Sequence, residues 1–155
     1  MKKFVLVCLI VLFPLVAVAA DSVTYTAHGK SDVGVKEYKW VALSDDGDGA
    51  ISGGQSDPIY GYIIEFKVVP NSSNPPDSSY NLELRDENNF DWLFDECSAL
   101  DGTDATNSAN VDVPVTDSGG YPYLHGERLT VYASGMGGSG SDGFTLYLRV
   151  KEFTK

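Results

Sequence analysis

The sequence predicts an all-β protein, an antiparallel two-sheet β-sandwich of seven or eight strands, either immunoglobulin-like or jelly-roll-like. Three observations lead there. No stretch beyond the N-terminal twenty residues sustains a 3.6-residue apolar period. Apolar residues instead alternate with polar ones in short runs rich in Val, Ile, Tyr and Phe, the pattern of half-buried strands. Gly, Pro, Asn, Asp and Ser clusters separate those runs at regular intervals, as turns do between strands.

Taken in order, the strands fall at Val23–Ala27, Val35–Leu43, Tyr60–Val69, Tyr80–Asp86, a short one at Asp91–Phe94, then Val111–Val115, Arg128–Ser134 and Gly143–Val150. In the third, Tyr62, Ile64, Phe66 and Val68 share one face, with Glu65 and Lys67 on the other. In the fourth, Tyr80, Leu82 and Leu84 oppose Asn81, Glu83 and Arg85. The last two repeat the pattern, with Leu129, Val131 and Ala133, then Phe144, Leu146, Leu148 and Val150. The expected core is therefore Tyr62, Ile64, Phe66, Leu82, Leu84, Leu129, Val131, Phe144, Leu146 and Leu148. Asp95 to Asn110 has no clear pattern and reads as a long loop or a short helical turn. A small barrel is the runner-up architecture. No internal repeat or second domain is visible.

Residues 1–20 read as a signal peptide. Lys2 and Lys3 precede an apolar run from Phe4, and Ala17-Val18-Ala19-Ala20 supplies the small residues that cleavage before Asp21 requires. The run lies at the lower edge of the length that spans a bilayer, and Pro14 interrupts it, so cleavage is favoured over a retained anchor. The expectation is an exported protein, periplasmic, extracellular or on a virion surface, with residues 21–155 as one domain. Loss of Lys2 and Lys3 takes the formal charge from −11 to −13. Such a chain repels nucleic acid and anionic lipid, so neither is an expected partner. Cys97 is the one cysteine beyond the signal, so no internal disulfide forms even in an oxidising compartment, and a buried inert thiol is expected.

Few residues suggest chemistry. Ser44, Asp46 and Asp48, with Gly49 following, echo the alternate-oxygen spacing of a calcium loop. The opening aspartate is missing, and Gln55 stands where a bidentate glutamate belongs. A solvated Asp/Gly turn accounts for the same residues, and weak calcium binding is the sole cofactor expectation. Gly135-Met136-Gly137-Gly138-Ser139-Gly140 matches a dinucleotide fingerprint by letter, yet a strand follows it where a helix is needed, so it reads as a hairpin connection. His28, at a strand end, and His125, in a loop, have no second ligand at metal spacing. Asp86 and Asp91 could pair as the carboxylates of glycoside hydrolysis, but acids flanking a turn are commoner. Trp40 and Trp92 fit a sandwich core better than a sugar platform. Tyr60, Tyr121 and Tyr123, near loops, are the better candidates for stacking on a ligand.

A further set of residues carries a resemblance. A strand with Trp40, then Gly49-Ala50-Ile51-Ser52, then Gly61-Tyr62-Ile63 leading to Val69-Pro70 comes first. Asn74-Pro75-Pro76, Tyr80-Asn81-Leu82-Glu83-Leu84, Asp86 and Asp91-Trp92-Leu93 follow, and the strands of Leu129-Thr130-Val131 and Leu146-Tyr147-Leu148 close the series. In this order and spacing the chain, from Val35 to Val150, resembles small phage-encoded β-sandwich proteins associated with virions. The resemblance implies a structural role, with partners among virion proteins or copies of itself, and no catalysis. The export signal departs from it, and suits a phage-derived gene used at the cell surface or a virus that assembles at a membrane. Two expectations stand together: a non-enzymatic exported contact protein, and an extracellular carbohydrate- or calcium-binding module.

Overall fold

The computed structural model describes residues 21–29, 34–44, 49–76, 78–94, 97–101, 109–111, 121–137 and 142–152. Ten strands and no helix lie among them: β1 (Ser22–Ala27), β2 (Val35–Ser44), β3 (Ile51–Gly53), β4 (Ile59–Pro70), β5 (Ser78–Arg85), β6 (Leu100–Asp101), β7 (Ala109–Val111), β8 (Tyr123–Glu127), β9 (Thr130–Ser134) and β10 (Asp142–Lys151). All pairings are antiparallel. The first sheet runs β1-β2-β10-β4-β7, with β8 also on β4, and the second runs β3-β9-β5-β6. The all-β expectation holds, as two antiparallel sheets sharing one core.

That core follows from the alternation. Tyr38, Trp40 and Ala42 of β2 and Phe144, Leu146, Leu148 and Val150 of β10 meet Tyr80, Leu82 and Leu84 of β5 and Val131 and Ala133 of β9. The Tyr80 and Phe144 rings stack across the gap between the sheets at 5.9 Å. Trp40 is fully buried and would lose a hydrogen bond there, but its indole Nε1 donates to the Gly54 carbonyl at 2.6 Å. Ser56, also buried, accepts from the Leu129 amide through its hydroxyl at 2.9 Å. Cys97 is buried as a free thiol.

Several expectations are corrected. Tyr62 and Ile64 do not join the core: Tyr62 is 36% exposed and Ile64 half-buried, while Ile63 is fully buried. Glu65 pairs with Arg149 and Ile63 with Val150, so Ile64 is an extra residue that β10 does not match. This bulge switches the inward parity of β4 from Ile59, Gly61 and Ile63 to Phe66 and Val68. Asp91–Phe94 is a turn. Asp91 makes one bridge to Arg85, its Oδ1 accepts from the Leu84 and Leu93 amides at 3.0 Å each, and Phe94 has φ 55°. Part of Asp95–Asn110 forms the short strands β6 and β7, which pair with β5 and β4. β7 ends at Val111, and the rest of the strand expected over Val111–Val115 lies outside the described residues. β3 and β8 are strands that the sequence left as connections. β9 and β10 lie in different sheets, so the expected hairpin connection between them is corrected.

Candidate binding face on β4 and β8

The outward side of the first sheet is aromatic where β4 meets β8. Ile59, Gly61 and Ile63 point inward before the bulge, so Tyr60 and Tyr62 point outward. Across the ladder Tyr60 pairs with His125 and Tyr62 with Tyr123. Four aromatic side chains thus occupy two alternate register positions, with the Gly61–Leu124 pair between them. Tyr62 meets Tyr123 edge-to-face at 5.0 Å, and Tyr123 meets His125 at 4.3 Å. Edge-to-face packing of this kind holds the rings in place without hiding them.

Gly126 completes the arrangement. It sits at a register irregularity in β8 with φ 112°, and a Cβ there would lie 2.8 Å from the Tyr60 ring. The bare backbone lets the Tyr60 ring rest on β8, with the residue still 56% exposed. Tyr121, 53% exposed, stands two residues before β8. The Ile63 amide donates to the Pro122 carbonyl at 2.9 Å, which fixes that approach to the edge of β4.

Beside these rings lies a shallow recess of about 210 Å³ lined by Asp86, Glu87, Asn88, His125, Gly126, Glu127 and Arg128. The turn after β5 forms one wall. Asp86 shapes that turn, its Oδ1 accepting from the amides of Asn88 (2.7 Å) and Phe90 (3.1 Å) and its Oδ2 from the Trp92 indole (3.2 Å). Asp86 and Asp91 therefore both serve as hydrogen-bond acceptors for local structure. Phe90, 47% exposed, packs edge-to-face on Trp92 and Phe94 and adds apolar surface to the turn.

Comparison of the chain with protein-family models, with curated proteins and with solved structures finds no match. The geometry therefore stands by itself.

The sequence candidates separate under it. Tyr60 and Tyr123 come onto one face, with Tyr121 leading into it, and Tyr62 and His125 join them. His125 is in a strand, a correction to its placement in a loop. His28 follows β1, its amide donating to the Glu37 carbonyl at 2.9 Å. Trp40 is core, and Trp92 packs half-buried against it. Ser44 ends β2 facing inward and is 2% exposed, while Asp46 and Asp48 lie outside the described residues. Among the described residues no group of three or more His, Cys, Asp and Glu side chains is placed to hold a metal ion. Tyr62 was legible in principle: Ile63-Ile64 breaks the alternation, and two adjacent apolar residues inside a strand mark the place where a bulge can switch faces.

Away from this face the outer side of the first sheet is charged. Arg149 lies between Glu37 (3.0 Å) and Glu65 (2.8 Å), which hold its guanidinium pKa above the ordinary value chiefly by hydrogen bonding. These groups are partly exposed, so solvent screens the pairs and they contribute little to stability. The aromatic face is thus bounded by polar surface.

Proposed function

We propose that this chain is an exported, non-enzymatic contact protein with a jelly-roll-like sandwich, which presents the Tyr60–Tyr62–Tyr123–His125 face to a protein partner in a virion or surface assembly. The observation that carries the reading is the in-register set of outward aromatic side chains. Tyrosine offers large, rigid contact area at low entropic cost and is enriched among residues that dominate protein interfaces. A run of such rings on a solvated sheet face has no role in packing the core.

The strand order supports the jelly-roll form over the immunoglobulin-like one. β2 pairs with β10, β3 with β9, β4 with β8, and β5 with β6. The chain is paired like one long hairpin, outermost strands together and innermost strands together, and distributed over two sheets. Such nesting is what a jelly-roll chain would have, and capsid and lectin domains both use that form. Fold analogy leaves function open, so the site carries the argument. The phage-protein resemblance and the N-terminal signal agree with an assembled, exported role.

A carbohydrate-binding reading rests on the recess. Glu87, Asn88 and Arg128 beside exposed rings offer hydrogen-bond acceptors and donors where a sugar ring would stack.

The test is a Tyr60→Ser/Tyr62→Ser variant, both side chains being partly exposed and outside the core. Wild type should co-sediment with the particles or cell envelope that carry it. The variant should fold normally by circular dichroism yet lose at least about tenfold of that association, as expected for two interface tyrosines each contributing about 1 kcal/mol or more. Unchanged co-sedimentation rejects the face as the contact surface. Binding on a glycan array that the variant abolishes moves the reading to carbohydrate.

A further inference from the structure

Where β2, β10 and β4 lie side by side, the outer side of the first sheet carries charge in an ordered grid. Outward positions of the three strands fall into rows, because both pairings run through β10. In one row Arg149 stands between Glu37 and Glu65 and donates to both carboxylates. In the next row Tyr147 stands between Lys39 and Lys67. Adjacent strands are about 4.8 Å apart, so the two lysine backbones lie about 10 Å from each other with the ring between them. The Lys39 ammonium is 5.7 Å from the centre of the Tyr147 ring, within reach of a cation–π contact. Among the described residues the ion pairs take their cations from Lys36, Arg85 and Arg149, so neither Lys39 nor Lys67 has a carboxylate partner there.

This arrangement runs against the charge of the chain. Its formal charge is −11, yet the two acids of the grid are engaged by Arg149 and both lysines beside Tyr147 are left over. A recess of about 390 Å³ opens at this point, lined by Lys67, Tyr147 and Val69, with the Glu37–Arg149–Glu65 cluster as its wall. That volume falls within the range of small-molecule sites. The recess combines an ammonium, the flank of an aromatic ring, an aliphatic edge, and carboxylate oxygens held in place by one guanidinium. Lys39, Lys67 and Tyr147 are half-buried, the lysine stems lying along the sheet with their charged ends toward water. Asp142, on the inward side of β10 opposite Ser44, is by contrast 5% exposed and closed to a ligand.

We propose that this recess binds a sugar acid, a single carboxylate carried on a hydroxylated six-membered ring. The carboxylate meets the Lys67 ammonium, and Lys39 adds its charge from the other side of Tyr147. The ring lies against Tyr147 and Val69, and its hydroxyls donate to oxygens of Glu37 and Glu65, whose charge Arg149 offsets. A neutral sugar leaves the lysines unused, and a polyanion meets the repulsion of the whole chain. At physiological salt that repulsion is screened beyond about 8 Å, so one carboxylate seated beside the lysines responds chiefly to them. The site shares no residue with the Tyr60–Tyr62–Tyr123–His125 face, so either can fail without the other.

The experiment is an NMR titration of the isotopically labelled exported protein with sodium glucuronate, with glucose and benzoate as comparison probes. Glucuronate should bind with a Kd of about 1 mM, the scale open to so small a ligand, and should shift the amides around Tyr147 and Lys67. Glucose lacks the carboxylate and benzoate the hydroxyls, so each should bind at least about tenfold more weakly. Lys67→Gln keeps the length of the side chain, removes its charge, and should weaken glucuronate binding about tenfold. Lys36→Gln removes the same charge away from the grid and should bind as wild type does. Absence of glucuronate binding by wild type overturns the proposal. So does equal binding of glucose or of benzoate, or an unchanged affinity in Lys67→Gln. Should Lys67→Gln fail to fold, Lys39→Gln supplies the variant, and affinity equal to wild type there counts against the site.

Discussion

Tyr38 shows how a single side chain can carry a pH dependence for the whole fold. It is 1% exposed, and its hydroxyl donates to the Glu152 Oε1 at 3.1 Å. Burial first, and then the neighbouring Glu152 carboxylate, push its ionisation far above the ordinary tyrosine range. Tyr80, buried against Phe144, is shifted in the same direction by burial and by Cys97. An unfolded chain releases such protons near pH 10, whereas the folded state retains them. Above that pH the folded state binds more protons than the unfolded one, so stability falls as pH rises, and below it the contribution is fully present. Urea melts should therefore show constant stability through pH 9 and a decline above about pH 10. Each of these tyrosines contributes a slope of about 1.4 kcal/mol per pH unit. Tyr38→Phe should remove its share of that slope, and an unaltered pH profile would show that the ring titrates freely. The burial of Tyr38 follows from strand alternation, but its partner does not. Glu152 is 114 positions away in the chain and meets it only because β2 and β10 are neighbours.

At the scale of elements, β4 decides more than any other strand. Its period of two was legible, and its phase was not. Six residues at its centre, Tyr62-Ile63-Ile64-Glu65-Phe66-Lys67, allow either Ile63 or Ile64 to face inward, and local pattern favours continuity with Phe66 and Val68. Pairing with β10 and β8 selects the other solution for the first half of the strand. Gly61 shows how close that packing is. It has φ 137°, and a Cβ there would lie 2.5 Å from the Lys151 carbonyl oxygen and 2.8 Å from the Val150 Cγ1. Gly61→Ala should therefore cost about 2–4 kcal/mol through strain and displacement of β10. Gly29, with nothing within 4 Å of an added Cβ, is the control, and Gly29→Ala should fall within about ±0.5 kcal/mol. Equal effects at the two positions in denaturant melts would refute the close approach of β4 to β10. The short strands β3, β6 and β7 carry too few residues for a period to stand out, and β8, as long as β9, has its alternation broken at Gly126.

For the molecule as a whole, the pairing places the first and last strands in one sheet, on either side of β2. β1 begins at Ser22, directly after the expected cleavage site. An export signal removed at that point would release a chain whose first ordered strand starts almost at its new terminus. N-terminal sequencing of exported material should give Ala20 or Asp21, and an intact Met1 in a membrane fraction would replace secretion with anchoring. The net negative charge bears on partners in the same way at this scale. A chain of −13 after cleavage would be repelled by polyanions at long range, so the proposed contact surface would act through short-range packing.

The all-β class, the main strands and most of the core were determined by the sequence itself, because side-chain alternation is a local property that each strand carries independently. Leu82, Leu84, Leu129, Val131, Phe144, Leu146 and Leu148 are buried where their parity puts them. The aromatic face and the buried acid were decided by tertiary structure alone. Tyr62 reaches the surface because a bulge shifts one strand by one residue, and a slip of one residue exchanges the two faces of a strand. Tyr123 reaches Tyr62, and His125 comes opposite Tyr60, because β8 pairs with β4 from more than sixty positions away in the chain. Asp142 is a polar residue at the head of an apolar row, and only the register with Ser44 and the closure of the two sheets over it turn that position into a buried charge.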